Sequence, residues 1–149
     1  MEQSVEVLLY GSKFRKLYEK QILDMFGDYH LKKIDVEILY FLHCSGNNNT
    51  SKDIVHLNMF TKGHISQSVD RMEKQNLISL VQDGNDRRCT HLVLTKEADD
   101  IIRRIVLLRE RLRKVIFNGL TEQEIEELAS VSKKIEKNIN DALWTAEYE

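Results

Sequence analysis

Most of this sequence repeats its apolar residues every three to four positions, and one stretch does not. From Ile78 the period drops to two. Ile78 and Leu80 precede a turn-forming Asp83-Gly84-Asn85-Asp86. Beyond it, Cys89, His91 and Val93 alternate with Thr90, Leu92 and Leu94. Two short strands around a polar loop predict a β-hairpin with a tip that projects into solvent. The rest reads as helix. No proline occurs in the 149 residues, against an average of about 5%, so nothing interrupts long helices. The expected class is mainly α with one small β-hairpin (α+β).

Val5, Leu8, Leu9, Phe14, Leu17, Tyr18, Ile22, Met25 and Phe26 predict a helix over 5–26, ended by Gly27 and loosened at Gly11. A short buried helix is expected over 35–45 with Asp35 as its acidic cap, followed by the loop Gly46-Asn47-Asn48-Asn49. Thr50 and Asp53 resemble a capping box for a helix over about 51–58. Thr61 caps the next helix, which runs to about Gln75 on an apolar stripe of Ile65, Val69 and Met72. Asn76 suits its left-handed end. After the hairpin, residues 96–118 predict one long helix stopped by Gly119. Thr121 and Glu124 form a second capping box, for a last helix with Ile125, Leu128, Val131, Ile135, Ile139 and Leu143 on one face.

Lys and Arg total 22, Asp and Glu 24, for a net charge of −2, so any nucleic-acid surface has to be locally basic. Cys44 and Cys89 are too few for a disulfide framework and suit a reducing compartment. Cys44, at the end of an apolar helix, reads as a small buried thiol. Cys89, next to Arg87 and Arg88, admits a redox role. No apolar run reaches the roughly 20 residues of a bilayer span, and the first residues lack the order of a signal peptide. A cytoplasmic location without membrane contact is expected. No HExxH, P-loop, GxGxxG or GxSxG is present, and His30, His43, His56, His64 and His91 show no ligand spacing. Neither an enzyme nor a cofactor or metal site is expected.

The helix pair over 51–75 and the hairpin suggest DNA. An α-helix fits the major groove, and the outward side of 61–75 offers Lys62, His64, Ser66, Gln67, Ser68, Arg71 and Lys74. A solvated amphipathic helix gives the same pattern. The hairpin adds Arg87 and Arg88, of the residue type drawn into a narrow minor groove. Asp86 stands two residues before Arg88, where its carboxylate can fork the guanidinium.

Thr50-(x2)-Asp53-Ile54-Val55, then Thr61-Lys-Gly-His-Ile-Ser-Gln-Ser-Val-Asp-Arg-Met-Glu73 with Asn76-Leu77-Ile78, and Asp86-Arg87-Arg88-(x5)-Leu94-Thr95 resemble the winged helix of the MarR (multiple-antibiotic-resistance regulator) family. The flanking helices are similar to its dimerisation arms. The departures are Asn58 for an apolar residue, Met72 for Leu and Asn76 for Gly. The resemblance implies a winged helix-turn-helix domain over 35–95 and a helical dimerisation region over 1–34 and 96–149. It also implies a homodimeric repressor on a pseudo-palindromic duplex. Ser66 and Gln67 would read bases, with Lys62, Arg71, Lys74 and Arg87 on phosphates and Arg88, oriented by Asp86, in the minor groove. Many relatives bind a small aromatic or phenolic effector beside the arms, and Tyr10, Tyr18, Tyr29, Tyr40 and His43 are the candidates here. Zinc-sensing relatives carry His on the helix after the wing and peroxide-sensing ones an N-terminal Cys; this chain has neither. A winged helix that pairs with another regulator instead of DNA is the competing expectation.

Overall fold

The computed structural model describes residues 3–55 and 60–146, and within them the side chains from Gly11 onward except those of Trp144 and Ala146. Its elements are α1 (Gln3–Phe26), a 3-10 turn (Gly27–Tyr29), α2 (Lys33–Ser45), α3 (Ser51–Val55), α4 (Lys62–Lys74), β1 (Ile78–Gln82), β2 (Thr90–Leu94), a second 3-10 turn (Lys96–Ala98), α5 (Asp99–Ile116) and α6 (Glu122–Ala146). The chain is mainly helical with one antiparallel hairpin, as its periods predict. It divides into two compact units, one of residues up to 20 with those from 110 onward, the other of residues 21–109.

The 21–109 unit is built on the buried faces of Ile38, Leu39 and Leu42 from α2, Ile54 from α3, and Ile65, Val69 and Met72 from α4. Ile78, Leu92, Ile101, Ile105 and Leu108 complete the core. Caps set where its helices start. Thr50 and Asp53 bond reciprocally, the Asp53 N–H donating to Thr50 Oγ1 at 3.2 Å and the Thr50 N–H to Asp53 Oδ2 at 2.9 Å. Thr61 Oγ1 accepts from the His64 N–H. Asn76 takes φ of 57° and ends α4 in the left-handed region, as expected. Residues 56–59, among them His56, Asn58 and the expected last turn of α3, lie outside the described residues.

Two boundaries differ from expectation. α2 starts at Lys33, so Asp35 is not its cap but its third residue, reaching back to accept the Lys32 N–H at 2.8 Å. The long helix after the hairpin opens with a 3-10 turn and becomes α-helical only at Asp99.

In the other unit, α1 breaks at Gly11 (φ 44°, ψ −111°), the residue that loosens the sequence pattern there. Phe14 stacks on Tyr18 at 6.0 Å between ring centroids. The Thr121–Glu124 box forms as predicted, with bonds of 2.7 and 3.1 Å. Along α6, Val131, Ile135, Ile139 and Leu143 recur every four residues and stay 41–62% exposed. No helix among the described residues is long and apolar enough to cross a membrane.

Candidate nucleic-acid interface

α4 is amphipathic, and its burial separates two sets of side chains. Ile65, Ser68, Val69 and Met72 point inward, whereas Lys62, His64, Ser66, Gln67, Asp70 and Lys74 are exposed. The exposed set presents one cation at each end of the helix and short hydrogen-bonding groups between. An added Cβ at Gly63 would meet no atom within 4 Å, so this edge of the first turn is open to close approach.

Ser68 does not belong to that surface. It is fully buried, and its hydroxyl donates to Asp35 Oδ1. It sits three residues after Ile65 and four before Met72, on the core stripe itself. The expected DNA contact from Ser68 is therefore corrected: no duplex can reach it. Arg71 is also engaged. Its Nη2 donates to the same Asp35 oxygen at 2.8 Å, and the carboxylate is only 1% exposed. One buried carboxylate thus takes the Lys32 N–H on Oδ2 and both α4 side chains on Oδ1. Arg71, about a third exposed, braces α4 against α2 rather than extending toward a phosphate.

The hairpin pairs Ile78 with Leu94 through to Gln82 with Thr90. Its loop is tied by its own polar groups. The Asp83 N–H donates to the Cys89 carbonyl at 2.9 Å, and the Cys89 N–H to the Asp86 carbonyl at 3.0 Å. Asp83 Oδ1 accepts from the N–H groups of Asn85 and Asp86. Asp86 Oδ1 accepts the backbone N–H of Arg88 at 2.9 Å. Asp86 is expected to hold the Arg88 guanidinium; it holds the backbone instead, shaping the turn that carries the arginine. Arg87 and Arg88 are exposed, and neither guanidinium is paired with an acid among the described residues. These are the unspent charges of the tip.

At the root of the hairpin the segment before α3 adds a short third edge. The Leu92 N–H donates to the Asn49 carbonyl at 2.9 Å, and Thr50 forms a bridge with His91. His91 lies between Asn49 Oδ1, 2.5 Å from Nδ1, and Asp83 Oδ2, 2.8 Å from Nε2. The His91 contact, joined by the two backbone N–H groups, holds the Asp83 carboxyl down at about 2.

Of the expected effector residues, the structure brings Tyr40 and His43 together within one unit. The Tyr10 side chain lies outside the described residues, and Tyr18 belongs to the unit without the hairpin. In the 21–109 unit, Tyr40 and His43 stand 6.5 Å apart. The Tyr40 ring is covered by Arg109, whose Cζ is 3.8 Å from its centroid and whose Nη2 is 3.5 Å from buried Glu37. Burial and a hydrogen bond with Cys44 raise the Tyr40 phenol above its ordinary value, against the pull of Arg109. Cys44 is exposed, not buried as expected, because α2 turns it away from the Leu39–Leu42 face. An open cavity of about 490 Å³ at that end of α2 is lined by Phe41, Cys44, Ser45, Asn48 and Asp53, and by neither Tyr40 nor His43. Sequence reasoning missed Asp35, Glu37 and Arg109, since their partners stand tens of residues away.

Residues 31–98 match the family model of a winged helix DNA-binding domain. Among solved structures, the chain is similar to a SlyA-like transcription regulator from Listeria monocytogenes, with 22% identity over 91% of each chain and a TM-score of 0.77. It is also similar to a Listeria monocytogenes regulator assigned to the MarR family and complexed with 26mer DNA. Identity there is 22%, coverage 99% of this chain and 96% of the other, and TM-score 0.78. An organohalide-sensing transcriptional regulator in its 2,4-dichlorophenol-bound form matches at 21% identity over 93% of this chain and 82% of the other, with a TM-score of 0.67. At these identities the likeness is one of fold, and the fold is the one that the MarR resemblance implies.

Proposed function

We propose that this chain, whose residues 31–98 form a winged helix DNA-binding domain on the fold shared by MarR and SlyA regulators, is a MarR-type transcription regulator and not an enzyme. It acts as a cytoplasmic homodimeric repressor on a pseudo-palindromic duplex. The observation that carries the reading is the pairing of an exposed polar face on α4 with two unneutralised arginines at the tip of the adjoining hairpin. Ser66 and Gln67 offer donors and acceptors to base edges. Lys62, Lys74 and Arg87 take phosphates, with His64 beside them, and Arg88 enters the minor groove. The similar regulator complexed with DNA supports the choice of ligand.

The unpartnered stripe of α6 supports a dimer, since a second copy gives Val131, Ile135, Ile139 and Leu143 somewhere to be buried. Two-fold symmetry then sets the reading helices about 34–36 Å apart, one turn of DNA. The dichlorophenol-bound relative supports release by a small phenolic or aromatic effector. Selection of bound duplexes from a random pool by the full chain tests the reading. An enriched inverted repeat with half-sites about 10 bp apart is expected; no enrichment overturns it.

A protein-interaction role without DNA is the second reading. It is favoured by the diversion of Arg71 to Asp35, which leaves Asp70 beside few free cations on α4. Nuclease treatment of a cell extract before pull-down separates the two, because partners held through DNA are lost and direct ones are kept.

A further inference from the structure

We propose that Asp83, Cys89 and His91 form a metal site at the base of the wing loop, where the two strands meet it, for a borderline-soft divalent ion of the zinc type. The hairpin brings them together. Asp83 and Cys89 stand opposite each other one step beyond the Gln82–Thr90 pair, and His91 follows Cys89 by two, on the same face of the strand. Their donor atoms, a carboxylate oxygen, a thiol sulfur and an imidazole nitrogen, all lie within 4.8 Å of one another. Zinc bonds of about 2.0–2.3 Å separate tetrahedral ligands by roughly 3.4–3.6 Å, so the set converges with side-chain shifts of about 1 Å. Thiolate with imidazole is the donor pair that favours zinc over magnesium or calcium.

The surroundings match those of a ligating histidine. His91 Nδ1 faces Asn49 Oδ1 and Nε2 faces Asp83 Oδ2, two acceptor oxygens that one neutral ring cannot both satisfy as donor. A cation on Nε2 satisfies this arrangement as a second ring proton would: Nδ1–H donates to Asn49, and Nε2 and the carboxylate turn their lone pairs to the same ion. Asn49 is itself held beside β2 by its carbonyl bond to the Leu92 N–H. Asp83 keeps Oδ1 on the loop N–H groups and offers Oδ2 to the site. Binding releases the Cys89 proton to solvent, and the fourth position goes to water. The ion would join the loop before α3 to both arms of the hairpin that carries Arg87 and Arg88.

The test is titration of the full chain with cobalt(II), kept reduced by a phosphine, followed by competition with zinc. One cobalt per chain is expected, with a thiolate-to-metal charge-transfer band and tetrahedral d–d bands that zinc abolishes. Cys89→Ser removes the charge-transfer band, whereas Cys44→Ser keeps it. His91→Gln and Asn49→Ala each weaken binding by at least roughly tenfold, with unchanged circular dichroism. A band that survives Cys89→Ser, binding indifferent to His91→Gln, or no stoichiometric binding overturns the site. None of these outcomes bears on duplex selection by the metal-free protein, so this site and the DNA-binding role fail separately.

Discussion

Arg88 is exposed at the wing tip with no acid among the described residues to hold it, so its removal is expected to be felt only in a complex. Arg88→Ala is expected to cost operator binding about 1–3 kcal/mol, roughly fivefold to 150-fold, in a gel-shift series. The melting temperature and the oligomeric state stay as they were. Asp35 is the opposite case. It is buried and carries Ser68 and Arg71, so Asp35→Asn leaves a half-buried cation without its counter-charge. Loss of a buried pair costs about 3–5 kcal/mol, and the partial exposure of Arg71 puts this one near the lower figure. The melting temperature falls by roughly 6–12 °C. The spacing of Ile65, Val69 and Met72 assigned α4's core side correctly. A serine on that stripe implies a buried acceptor, but nothing local says which. The acceptor lies 33 positions earlier, and such a separation leaves no mark on the period.

The termini of the elements were the most legible part, because caps are local chemistry. The boxes at Thr50 and Thr121 and the left-handed end at Asn76 all follow from residues within three or four positions. Asn76 gives a graded test. Its φ of 57° suits glycine better and alanine worse. Asn76→Gly is expected to raise stability by up to about 0.5 kcal/mol and Asn76→Ala to lower it by about 1 kcal/mol, read from urea midpoints at constant m. The wing was legible as a hairpin but not as a cluster. Asp83, Cys89 and His91 become neighbours only once the strand register is known, and a shift of one residue would turn His91 to the other face. The turn role of Asp86 was likewise half visible. An aspartate two residues before an arginine reaches that residue's amide as readily as its guanidinium, and the short Asx geometry favours the amide.

For the molecule as a whole, the apolar stripe along α6 predicts that placing charges on it separates assembly from folding. The double change Ile135→Glu with Ile139→Glu is expected to give a helical monomer in sedimentation, with operator affinity lost. A stable dimer in that variant removes α6 from the proposed interface. Salt dependence counts the phosphates. On the proposed reading, Lys62, Lys74 and Arg87 on each of two protomers would make about six contacts, and a slope near −5 in log K against log salt is expected. Lys74→Ala lowers its magnitude by about 2 per dimer, uniformly across operator variants.

The carboxylate beneath α4 reaches beyond stability. Because Asp35 grips both Ser68 and Arg71 of α4, that helix cannot roll about its long axis without stranding a charge in the interior. Its pitch is keyed to α2. Under the proposed function, a chemical signal that leaves α2 at rest would leave the exposed edge of α4 at rest, and control would come by carrying the two helices together as one plinth.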